Sequence, residues 1–432
     1  MSVFPPKPPS FKSMIPPSLK ALTKSFETKR RPPEVQRLGG ETYRNLLDRL
    51  HIAVNVMPPD QTEADDAREH GTFLARQDRW DELADLIREA DRARRTTDAG
   101  QPIADLLSYG GRADVVQAAE HALLHGRAAK GSNFFSGVEA LEFVLDEAPD
   151  NYPLALIVAN MHIDIGWAWR GASATEELRA TNREAFHAHF DRASDILDAF
   201  CPVDLDSPAL AAARCALLPG RHSPELHIIR EFEQLVSLDP MNPRHMRALG
   251  NYLLPRWYGD FQALDLEARR TAARTYEDWG AAGYTWVWFD ALLVDPEGLS
   301  IFEPEYFLEG IYDILDACRD QHTANLTAAH LYQCWQTARE RYNETGYRPD
   351  LPPALRRGFE TVVEHHLREV HPMIWGHAEI GFENTARIIS HSRLAEKGRE
   401  TALSAIAMPF LKRLQDGQTV TFGPDGIHHG PS

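Results

Sequence analysis

"SLDPMNPRHMRALGNYLLPRWYGD", Ser237–Asp260, is the stretch that decides the fold. An acidic, proline-containing turn at Asp239 and Pro240 closes one helix. Pro243 opens the next, at a first-turn position that needs no backbone donor. Pro255 then kinks or ends that helix, and Gly259 lets the chain turn. The same order recurs in "DEAPDNYPLALIVANMHIDIGWAWRG", 146–171, and in "CPVDLDSPALAAARCALLPG", 201–220, with Pro153 and Pro208 in the place of Pro243. Trp167 follows Pro153 by 14 residues, as Trp257 follows Pro243, and Leu-Leu-Pro stands at both 217–219 and 253–255. Spacings of 55 and then 35 residues between the three prolines make the array irregular.

Helical periodicity extends beyond this region. "RWDELADLIREADRAR" puts Trp80, Leu83, Ile87 and Ala90 on one face, and "VEALEFVLDEAPD" does the same with Val138, Leu141, Val144 and Leu145. Alternation of apolar and polar residues is nearly absent before "QTVTFGPDGIHH". There a Gly-Pro-Asp-Gly turn can join two short strands, the only sheet expected. "YGGRAD" at Tyr109 is read as a turn. The predicted class is all-α: an antiparallel helix-hairpin array with a short C-terminal β-hairpin. The expected divisions are a basic Pro-rich arm (1–37), an N-terminal helical region (38–135), helix pairs (136–300), a C-terminal helical region (301–415) and a terminal hairpin or tail (416–432).

The third unit resembles the tetratricopeptide-repeat (TPR) family. Phe232, Asp239, Pro240, Leu249 and Gly250 stand where that repeat places its helix-B aromatic, its closing proline and the Leu-Gly of the next helix A; Pro149 and Ala159 echo this in the first unit. The likeness covers residues 137–262, with a fainter echo from Phe307 to Arg339, and lacks most of the repeat's Trp, Tyr and Ala positions. The resemblance implies a TPR-like α-solenoid of stacked helix pairs whose concave face binds peptides or proteins. It implies no catalytic residues.

Composition narrows the function classes. The 432 residues carry a net charge of -17; the first 37 hold five Lys and three Arg against two Glu, a net of +6, so the remainder carries -23. Such a body repels phosphate backbones, so nucleic acid is not expected as a ligand and a basic protein or peptide is the better match. The arm includes "SLKALTKSFETKRR", with Leu19, Leu22 and Phe26 at helical spacing among lysines. It suits a partner, an anionic membrane surface or the acidic body itself, and a mobile solvated tail is the equal competing reading. Its prolines and lysines do not fit a secretory signal, and no apolar run approaches the roughly 18 residues of a membrane span. Four widely spaced cysteines suggest neither a disulfide framework nor a zinc knuckle, and a cytoplasmic location fits best.

Aromatic, arginine and glycine residues concentrate at presumed helix ends, in "GWAWRG", "PRWYGD", "EDWGAAGYTWVWFD" and "HPMIWGH". Two readings follow. In one, Trp167, Arg170, Arg256, Trp257, Tyr258 and Trp279 line a groove, where the rings supply rigid contact area and the guanidiniums engage a carboxylate or phosphate of the partner. In the other, favoured on residue type, each Trp wedges between helix pairs, Trp257 filling the joint to the next hairpin.

Metal chemistry is the alternative. On one helix, His365 and Glu369, or His366 and Glu369, would share a face, with His371 beyond; Glu184 and His187 have the Glu-x-x-His spacing once, where a di-iron bundle needs it twice. No nucleophile elbow, P-loop or dinucleotide fingerprint occurs, and no cofactor is implied. "MHIDIGW", with His162 and Asp164, is read as structural. The expectation is therefore a helical-repeat adaptor binding a protein or peptide through an acidic, aromatic-rich surface. A metal-dependent bundle enzyme and a structural subunit of a larger assembly are the competing readings.

Overall fold

The computed structural model describes residues 45–56, 59–124, 136–171, 180–381 and 390–431. The arm at 1–37, and with it both readings of that arm, lies outside them. The described residues are mostly helical. They divide into two compact units, one holding residues 59–245 and the other residues 45–56 and 246–431. The division falls at His245/Met246, inside a helix, whereas the sequence pattern places its boundaries at 135 and 300.

The first unit contains α1 (Pro59–Arg76), α2 (Trp80–Arg92), α3 (Ile103–Leu124), α4 (Ser136–Glu147), α5 (Tyr152–Arg170), α6 (Ala180–Leu197), α7 (Pro208–Ala216), α8 (Ile228–Leu238) and the start of α9 (Pro243–Tyr252). Pro153, Pro208 and Pro243 all stand in first turns. Helix α5 packs along α6 and α3, α1 along α3, and α7 on α8. Leu83, Ile87 and Ala90 of α2 are buried while Trp80 is only partly so, which matches the stripe read from the sequence.

Tyr109-Gly-Gly is not a turn. Gly110 and Gly111 lie inside α3, and a Cβ at Gly110 or at Gly71 of α1 would overlap the other helix's backbone, so the pair permits a close crossing. A local Gly-Gly signal cannot reveal that partner helix.

The second unit contains α10 (Phe261–Arg274), α11 (Tyr276–Trp279), α12 (Ala282–Val294), α13 (Pro304–Ala317), α14 (Gln321–Thr345), α15 (Leu351–His365), α16 (Pro372–Ile380), α17 (His391–Ile406) and α18 (Leu411–Gln415). Helix α12, "AGYTWVWFDALLV", is buried at every position from Ala282 to Leu292 and packs against α10 and α13. Gly250 in α9 meets the Val287 carbonyl of α12 so closely that no side chain fits there.

More sheet is present than one hairpin. Strands β1 (Leu50–His51) and β2 (Ala53–Val54) precede the helices, β3 (Glu369–Val370) follows α15, and β4 (Gln418–Gly423) and β5 (Gly426–Pro431) end the described chain. β4 pairs antiparallel with β5 and parallel with β1, and β2 pairs parallel with β3. Asn325 of α14 fixes β3 and the start of α16: its amide donates to the Gln321 and Glu369 carbonyls, and its oxygen accepts from the His371 backbone and the Trp375 indole.

Candidate functional site

The residues expected to share one groove are distributed over both units. In the first, Trp167 packs edge-on against Phe186 and Phe190, and the Arg170 guanidinium lies 5.1 Å from the Trp167 ring and 5.2 Å from Phe186. This half-buried aromatic-cation group closes the C-terminal end of α5, followed by Gly171 at positive φ. In the second unit Trp279 is only 3% exposed and packs on Trp286 at 6.0 Å. It is a core residue and leaves the candidate surface.

The opening stretch behaves differently. After α9 ends at Tyr252, Leu253 and Leu254 turn into the core, and the chain is tied by Trp257 N–H to the Leu254 carbonyl (2.9 Å) and Tyr258 N–H to the Tyr252 carbonyl (3.3 Å). Gly259 sits against the Leu253 backbone where a Cβ would overlap it, and Asp260 caps α10 by accepting from Ala263 N–H at 2.8 Å. This tight turn pushes Trp257 outward. It is 42% exposed, which overturns the expectation that it fills a joint. The Arg256 guanidinium lies 5.7 Å from its ring centroid, and the rings of Trp257, Tyr258 and Tyr252 follow one another at 6.0 and 6.1 Å. Arg256, Trp257 and Tyr258 are thus together, with Tyr252 added.

The metal set does not assemble as the sequence suggests. Helix α15 ends at His365, because Arg368 folds back to donate to the Glu364, His365 and Leu367 carbonyls, and Glu369 enters β3. The i, i+4 register of His365 with Glu369 therefore does not exist. His365 is exposed, burial and the charge of His365 lower the pKa of His366, and His371 is buried with its Nε2 2.8 Å from Glu369. Glu184 and His187 are exposed on α6. Among the described residues no three His, Cys, Asp or Glu side chains converge as a metal-ligand set.

Two polar clusters in the first unit escaped the sequence reading. His162 does not pair with Asp164, which instead holds Arg112 at 2.7 Å. His162 Nε2 lies 2.8 Å from Glu142, and its Nδ1 lies 2.8 Å from His189 Nδ1; Arg192 also grips Glu142. The Arg192 guanidinium and then the His162 contact pull Glu142 down to about 2, while burial, with the His162 charge, lowers His189 to about 4. The partners come from α4, α5 and α6, so no local motif announces them.

The second cluster surrounds Glu231 of α8, whose side chain is only 4% exposed. Arg230 reaches it at 2.8 Å, Arg221 at 3.7 Å and Arg214 at 3.9 Å. Only "RHSPELHIIR", 221–230, with its two arginines and two histidines in an acidic chain, hints at it.

Compared with known protein families, curated proteins and solved structures, the chain shows no match.

Proposed function

We propose that the chain is a helical-hairpin adaptor, TPR-like in its stacking of helix pairs, that docks a protein or peptide through the Tyr252–Tyr258 corner. One observation carries this reading: in a stretch whose Leu253 and Leu254 are buried, the largest side chain, Trp257, is held at the surface with a guanidinium over its ring. An exposed Trp flanked by Tyr and Arg is the side-chain set that dominates binding energy where proteins meet. It offers rigid area at little entropic cost, and Arg256 adds a fork for a carboxylate. The net charge of -17 favours partners with basic flanks and faster association at low salt.

The test is affinity purification from native cells with wild type, Trp257→Ala and Arg256→Ala, with melting temperatures measured in parallel. The reading expects a defined partner retained by wild type and lost by both variants, whose melting stays within a few degrees of wild type. Equal recovery by all three, or a collapse of the Trp257→Ala fold, defeats it.

A further inference from the structure

The arginines around Glu231 exceed what that carboxylate needs. Arg214 is already committed, donating to the Phe200 carbonyl at 3.1 Å and to Asp198 at 3.4 Å. Arg230 donates to Glu231 at 2.8 Å, yet 70% of its side chain is exposed. Arg221 stands 3.7 Å from the same carboxylate, beyond hydrogen-bonding distance, and only 21% of its side chain is exposed. A guanidinium has five N–H donors in a rigid fork, and Arg221 spends none of them on Glu231 within hydrogen-bonding distance. Three guanidiniums within 4 Å of one carboxylate also repel one another unless further negative charge is supplied. Asp198 supplies part of it, to Arg214. Glu225, exposed on the short 3-10 turn before α8, and Glu233, two residues beyond Glu231 on α8, are the other nearby carboxylates in the sequence.

We infer that Arg221 and Arg230, positioned by Glu231, form an oxyanion subsite that takes a phosphate group. Glu231 holds the two forks at one carboxylate, Arg214 backs it from the α7 side, and the exposed face of Arg230 is the entry. A tetrahedral dianion offers each fork a pair of oxygens, the bidentate geometry in which Arg binds phosphate most strongly. The chain's overall negative charge does not forbid this, because screening confines the field of distant charges to about 8 Å at physiological salt. The phosphate can be free or esterified on a small molecule, and the two sources share this chemistry.

The experiment is titration of the full chain with inorganic phosphate and, separately, with O-phosphoserine. It is followed by phosphorus-31 line broadening and by chemical shifts of the arginine side-chain N–H groups, at constant ionic strength. Wild type, Arg230→Gln, Arg221→Gln and the remote control Arg76→Gln are compared. Saturable binding is expected to weaken about tenfold in each subsite variant and to be unchanged in Arg76→Gln. Tighter binding of O-phosphoserine identifies an ester as the natural form, and equal binding identifies free phosphate. Should Arg221→Gln fail to fold, the exposed Arg230→Gln and the wild-type N–H shifts decide. Absence of saturable binding to wild type, or equal binding by wild type and Arg230→Gln, overturns the inference.

Discussion

The two units solve the problem of a buried polar group in opposite ways. The first is built mainly on aliphatic residues, such as Leu74, Leu83, Ile87, Leu156 and Ile165, and threads the Glu142–His162–His189 chain among its helices. The second is built on rings, including Trp286, Trp288, Phe289, Phe302, Phe307, Phe359 and Trp375, around an Arg247–Asp290 pair joined by two 2.8 Å hydrogen bonds and around Asn325. A guanidinium and an amide keep their charge state through the acid range, whereas the first unit's chain includes His189, lowered to about 4, and Glu142, lowered to about 2. The difference teaches where each polar group is vulnerable: the Arg247–Asp290 pair and Asn325 to loss of a partner, the chain holding Glu142 and His189 also to gain of a proton.

The largest expected effect breaks the second unit's pair. Arg247→Met leaves Asp290, fully buried, without its cation and is expected to cost about 3 to 5 kcal/mol in chemical denaturation. Asn325→Leu abandons two carbonyls, the His371 N–H and the Trp375 indole N–H, for roughly 3 kcal/mol; a loss below about 1 kcal/mol would show that these groups find water instead.

Acid sharpens the contrast. His189 has a folded pKa near 4 against 6.5, so its neutral state stabilises the fold fully above pH 6.5. That contribution, on the order of 3 kcal/mol, is lost as pH falls toward 4. Burial lowers His330 of the second unit to about 4 as well, so both units weaken over that window. Glu142, depressed to about 2, continues to lose stability below pH 4.5 as its carboxylate protonates. Region-resolved hydrogen exchange should therefore find the first unit opening before the second between pH 4.5 and 3. His189→Gln should flatten the first unit's response from 6.5 to 4 and leave the second unit's intact. The smallest effect is at Trp257→Ala, about 1 kcal/mol or less, since a partly exposed ring has little packing to lose. A loss of 3 kcal/mol would return Trp257 to the core.

Helices were legible because each stripe, such as Leu83, Ile87 and Ala90, is a local pattern, and first-turn prolines mark their starts. The two-residue strands β1, β2 and β3 were not legible, since each is specified only by a strand far away in sequence. The Trp-Arg-Tyr corner was visible as composition. Its exposure was not, because Trp257 and Trp279 have the same residue type and opposite burial, set by a turn in one case and a neighbouring Trp in the other. Metal ligation by Glu369 failed because a periodic count assumed that α15 continues, when Arg368 stops it.

The contact between His162 Nδ1 and His189 Nδ1 has a stoichiometric consequence. Two ring nitrogens 2.8 Å apart have room for one hydrogen between them, so one ring donates and the other accepts. One hydrogen therefore tethers α5 to α6, and replacing either ring by a group that cannot complete the pair leaves the facing nitrogen of the other without its partner.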